Sequence, residues 1–145
     1  MFAKPSLMTR VGVGKSLGAA FGLVGFFMLP QYIEGVGMLP RLGILFWYVT
    51  FGAFLGMVGV FDYHPILRMR MPWWIRGVCI GAWLNLVLTF FAYDLMQEFL
   101  TAVFSADGII LSPFWFVLEG AVAGLLIEFF ATRWGGEGPA TVRQA

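Results

Sequence analysis

Charge is what this sequence has least of. Only 12% of its 145 residues are Asp, Glu, Lys or Arg, and it holds one His and one Cys. Soluble domains carry about a quarter charged residues, so this chain cannot cover its surface with ions. The single cysteine, Cys79, excludes an intramolecular disulfide and a cysteine-based metal centre. A lone His64 beside Pro65 in a basic loop is better read as interfacial than as a positioned base, even next to Asp62 and Tyr63. Met38, Met57, Met69, Met71 and Met96 are scattered, which suits adaptable packing better than soft-metal ligation. We therefore expect no metal, no cofactor and no enzymatic activity. A net charge of +1 gives no reason to expect nucleic acid as a partner.

What the chain has instead is apolar length. Sixty per cent of the residues are hydrophobic, and the mean hydropathy is +0.85. Four stretches reach the roughly 20 apolar residues that a bilayer crossing requires. They run over residues 14–33, 42–61, 74–93 and 113–134. Breakers separate them: Pro30 and Pro40, Pro65 and Pro72, then Asp107, Gly108 and Pro113. No strand-like alternation of a membrane barrel is present. The third span continues into DLMQEFLTAVF, with Asp94 and Glu98 on one helical side and Leu95, Phe99 and Val103 on another, as in an interfacial turn. The first span lacks small residues after its apolar run and reads as a retained helix rather than a cleaved signal. Residues 135–145, WGGEGPATVRQA with its preceding Trp134, read as a flexible tail.

Basic residues set the orientation, since they stay cytoplasmic. Lys4, Arg10, Lys15, Arg68, Arg70, Arg76, Arg133 and Arg143 fall on one side, eight of nine, and Arg41 on the other. Both termini are expected in the cytoplasm, with the chain in the plasma (inner) membrane of a bacterium. Tyr32, Trp47, Trp73, Trp74, Trp115 and Trp134 lie near span ends, where aromatic belts form.

The segment GVGKS suggests a phosphate-binding loop, but the pattern needs glycine at position 9, which is Thr9. No strand precedes it, and a nucleotide partner is not expected. A membrane reading explains the glycines better. Gly14, Gly18 and Gly22 recur every fourth residue, and so do Gly52 and Gly56, Gly77 and Gly81, and Gly120 and Gly124. Such faces let helix backbones approach closely where lipid supplies no hydrophobic drive. Two internal similarities accompany them. GAAFGLVGFF from Gly18 resembles GAFLGMVGVF from Gly52, and FWYVTFGAFLGM from Phe46 resembles FWFVLEGAVAGL from Phe114. The offsets of 34 and 68 hint at a repeated helix unit.

Ionisable groups inside spans are costly, and each is a functional candidate. Glu128 continues the Gly120, Gly124 stripe, and Arg76 lies at similar depth beside Gly77, so an Arg76–Glu128 pair is expected, with Asp62 competing for the arginine. Glu119 lies roughly 9 Å below the end of its span at ~1.5 Å per residue, with no basic residue expected there. Asn85 and Thr89, on the stripe begun by Gly77 and Gly81, are near the right depth to share a polar pocket with it.

These readings give an all-α integral membrane protein: a single transmembrane domain, residues 1–145, forming a compact bundle of four antiparallel transmembrane helices packed through GxxxG-type faces. Its expected partners are the lipid bilayer and further subunits, in a homo-oligomer or a larger membrane complex. Two functions compete. One is a structural or accessory subunit acting through helix packing. The other is a small proton- or cation-coupled transporter or channel that uses Glu119.

Overall fold

The computed structural model describes residues 5–104 and 111–143. Lys4, Asp107 and Gly108 lie outside them. Among the described residues the chain forms five α-helices: α1 (Leu7–Tyr32), α2 (Met38–Val58), α3 (Trp73–Phe91), α4 (Tyr93–Phe104) and α5 (Trp115–Gly135). A two-residue hairpin, β1 (Tyr63–His64) and β2 (Met69–Arg70), joins α2 to α3, with Tyr63 opposite Arg70 and His64 opposite Met69. The helices α1, α2, α3 and α5 are each long and apolar enough to cross a membrane, which marks the chain as membrane-integral.

Helix α1 begins seven residues before the expected start. Ser6 is its N-cap and accepts a hydrogen bond from the Thr9 amide at 3.3 Å. That extra length draws Arg10 into the helix. At the other end Pro30 stays inside α1 instead of ending it. Proline has no N–H for the carbonyl four residues back, and here that carbonyl, on Phe26, accepts from Arg41 Nε at 3.0 Å. The same guanidinium sits 4.2 Å above the Phe26 ring. The basic residue expected alone on its side thus satisfies a backbone group that proline leaves unpaired.

The helices pack chiefly as two pairs, α1 with α2 and α3 with α5. Glycine governs both contacts. A Cβ at Gly14 would collide with the Gly52 carbonyl, and one at Gly18 with the Tyr48 carbonyl; at Gly22 it would stand 2.7 Å from the Leu45 oxygen. In the second pair, a Cβ at Gly81 would strike Gly120, and at Gly77 it would lie 2.6 Å from the Gly124 oxygen. Gly12 and Gly43 face open space. The offset-68 similarity has a counterpart in these contacts. Gly52 and Gly120 meet Gly14 and Gly81, while Gly56 and Gly124 meet the Arg10 backbone and Gly77. The offset-34 similarity differs, because it relates the two partners of one pair.

The pairs join through a core of Tyr48, Phe51 and Leu55 from α2 with Ala123 and Ile127 from α5. Helix α4 is separate from α3, with the break at Ala92, and buries Met96 and Leu100 while Asp94, Gln97 and Glu98 stay exposed. Residues 135–143, part of the segment expected to be a flexible tail, make defined contacts with the rest of the chain. The Ser6 amide donates to the Gly135 carbonyl and the Gly138 amide to the Gly59 carbonyl, each at 2.9 Å, and Thr141 is buried.

Candidate functional site

Two polar clusters lie among the helices, one toward each end: the first has a buried centre, while the second joins buried Tyr48 and Asn85 to Glu119, which is exposed on the outer face of α5. The first is ionic. Glu128 is fully buried, as are Arg10 and Arg76, at 0%, 0% and 1% exposure. Arg76 donates from Nε to Glu128 Oε1 at 2.9 Å and from a terminal nitrogen to Oε2 at 3.0 Å, a bidentate clasp. Its other donors reach Glu137 at 3.3 Å and the carbonyls of Phe61 and Met71 at 3.1 and 3.2 Å. All five guanidinium protons are therefore placed. Asp62, expected to compete for this arginine, does not join it. Asp62 is exposed at the start of the hairpin connection, beside Gly138, where the chain has already turned away.

Arg10 is the member the sequence reading placed elsewhere, among the charges flanking the first span. It donates to Glu128 Oε2 at 2.8 Å, to the Gly56 carbonyl at 3.0 Å, to Thr132 Oγ1 at 3.1 Å and to the Gly136 carbonyl. Thr132 adds a further donor to Glu128 at 3.3 Å. Two arginines and two glutamates thus balance, and the cluster ties α1, α3, α5 and the tail together. A signal was present. Arg10 lies four residues before Gly14 and so continues the stripe of Gly14, Gly18 and Gly22.

The second cluster surrounds Glu119. The Tyr48 hydroxyl straddles the carboxylate at 2.9 Å from Oε1 and 2.8 Å from Oε2. Asn85 Nδ2 donates to the Tyr48 oxygen at 3.1 Å, to the Phe116 carbonyl at 2.9 Å and, more distantly, to Glu119 Oε2 at 3.4 Å. Trp47 Nε1 donates to Asn85 Oδ1 at 3.3 Å. Chemistry fixes the amide's orientation, because an indole N–H only donates and a backbone carbonyl only accepts. Protons therefore run in one direction, from Trp47 to Asn85 to Tyr48, and the Tyr48 proton is left for Glu119. The carboxyl group is the terminal acceptor.

Asn85 and Glu119 come together as expected, but Thr89 does not join them. Its hydroxyl donates at 2.8 Å to the carbonyl of Asn85 one turn back on its own helix, the usual outlet for a buried threonine in a helix. Tyr48 and Trp47 were missing from the expected pocket. Tyr48 precedes Gly52 by four residues on its glycine stripe, and Trp47 falls where an aromatic belt is expected.

Glu119 also lines a cavity of about 190 Å³ whose other walls are almost wholly apolar, among them Phe21, Leu29, Met96, Phe99 and Phe116. Among the described residues no group of three or more His, Cys, Asp or Glu side chains gathers to hold a metal ion. His64 accepts from the Leu67 amide at 3.1 Å and so serves its own turn. No family model, no curated protein and no solved structure matches this chain, so a functional reading rests on these two clusters.

Proposed function

We propose that the chain is a structural or accessory subunit of a membrane assembly, acting through helix packing rather than catalysis. The observation that carries this reading is the ionic cluster. Glu128 is neutralised in place by two arginines, with its lone pairs occupied from three helices and no site left for a passing ion. Charges locked in this way hold helices in register. The finer architecture belongs to the same proposal. The reversed order of the contacts Gly14–Gly52, Gly18–Tyr48 and Gly22–Leu45 supports antiparallel packing through GxxxG-type faces. Lys15, Arg68, Arg70, Arg133 and Arg143 support cytoplasmic termini in a bacterial inner membrane. Exposed Phe46, Trp83, Phe90 and Phe91 offer surface to lipid and to further subunits, in a homo-oligomer or larger complex.

The competing reading is a small proton- or cation-coupled transporter or channel. One observation favours it: Glu119 lines a cavity and bonds to neutral groups only. Reconstitution into liposomes separates the two. The accessory reading expects proton and small-cation flux at the level of empty liposomes for both the native protein and Glu119→Gln. Native flux above that level, lost on the substitution, overturns it in favour of transport.

A further inference from the structure

Glu119 and its cavity carry an inference that stands beside the accessory role rather than on it. We infer that this cavity binds a small lipophilic cation: an organic ammonium with an apolar body about the size of a benzene ring.

Size comes first. An apolar protein cavity of about 150 Å³ stays dry and admits benzene. The cavity here, about 190 Å³ and partly open to the outside, is of that order with room for a compact headgroup. Its wall is aromatic and aliphatic, and Glu119 is the one carboxylate among its lining residues. Phe21, Phe99 and Phe116 contribute rings, whose faces attract a desolvated cation.

Charge comes second. The two intramembrane glutamates of α5 are treated differently. Glu128 has two arginines, whereas Glu119 has no Lys, Arg or His within ion-pair distance among the described residues. The directed hydrogen bonds from Trp47 through Asn85 deliver the Tyr48 hydroxyl proton, and one long contact from Asn85 Nδ2, to a group that offers about four lone-pair directions. A monovalent organic cation supplies the missing opposite charge. An inorganic cation is a poorer match, because hard cations take several oxygen ligands and this wall supplies only Glu119 and the Tyr48 hydroxyl.

Access comes third. Glu119 also borders a second, open recess formed by Phe99, Leu100, Phe104, Trp115 and Phe116. The carboxyl, itself exposed, therefore borders both a partly open cavity and an open groove beside α4. A cation sliding in from the side keeps its apolar body in contact with rings along the way.

The test uses the full-length protein in lipid nanodiscs, titrated with benzyltrimethylammonium and with its uncharged isostere neopentylbenzene, empty nanodiscs serving as the partition control. The native protein is expected to bind the ammonium at least about tenfold more tightly than the isostere. Glu119→Gln should abolish that preference while leaving isostere binding within twofold, and Met28→Trp, which fills the cavity, should weaken both. Equal affinity of native protein and Glu119→Gln for the ammonium overturns the inference. So does uptake no greater than that of empty nanodiscs, or displacement by sodium at equal concentration. Should Glu119→Gln lose its helix content, the comparison of ammonium with isostere on native protein decides alone, and equal affinity overturns the site.

Discussion

Glu128 is where a single atom group matters most. Its carboxylate is the shared partner of Arg10 and Arg76, all three buried. Glu128→Gln would leave two guanidinium groups facing each other with one lost charge between them. Breaking a buried pair from one side costs about 3–5 kcal/mol, and we expect a loss of that size in denaturant-induced unfolding followed by helix content in detergent. Glu137 gives the contrast. It bonds the same Arg76 at 3.3 Å but keeps 40% of its side chain exposed, so Glu137→Gln should cost less than about 1 kcal/mol. Equal losses from the two would contradict the burial argument. The residue scale is also where sequence reading gained and lost most. Arg76 and Glu128 were legible because each adjoins or continues a glycine stripe. Arg10 and Tyr48 sit on such stripes by the same spacing. Arg10 falls outside a first span that begins at Gly14, and nothing in the composition around Tyr48 sets its hydroxyl apart. Thr89 had the right face and depth, but a threonine in a helix has its own backbone within reach, and that competition is invisible without coordinates.

At the scale of elements, the glycine faces make a sharp distinction between positions that look alike in the sequence. Gly14 and Gly81 each press on a neighbouring backbone, where an added methyl has nowhere to go, whereas Gly12 faces open space. Overpacking typically costs 1–3 kcal/mol. Gly14→Ala and Gly81→Ala should each destabilise by about 2 kcal/mol, and Gly12→Ala should stay within about 0.5 kcal/mol, all read from the same unfolding experiment. Losses that do not differ between Gly12 and Gly14 would remove close backbone approach as the organising contact. Four membrane-length helices were readable from hydropathy and length alone. Their ends were less so. Pro30 has the composition of a breaker, and only Arg41, eleven residues on and in the next helix, lets α1 run past it. The separate course of α4 follows from a break at Ala92, which no proline or glycine announces.

At the scale of the molecule, the proposed topology has four spans with both termini on one side, and the distribution of basic residues supports the cytoplasm for that side. Reporter fusions active only in the cytoplasm should report from the N-terminus and the C-terminus alike; activity at one end alone would require an odd number of crossings. The pairing of α1 with α2 and α3 with α5 was not readable from the sequence, since all four spans carry glycine at the same spacing and any two would zip. The polar residues select among these options. Arg10, Arg76 and Glu128 place α1 and α3 against α5 at one end, while Trp47, Asn85, Tyr48 and Glu119 link α2, α3 and α5 at the other. The contacts of the tail were not legible, because glycine content speaks for freedom, while the backbone bond from Gly138 to Gly59 is a contact that composition does not encode.

The placement of Glu128 on α5 has a consequence for how the protein is made. Ribosomes release the chain from its N-terminus, so Arg10 and Arg76 reach the bilayer before the acid that neutralises both. Until α5 arrives, neither guanidinium has the Glu128 carboxylate it pairs with in the folded protein. Arrival of α5 completes both ion pairs at once, and a truncated product lacking it leaves two arginines without their shared carboxylate.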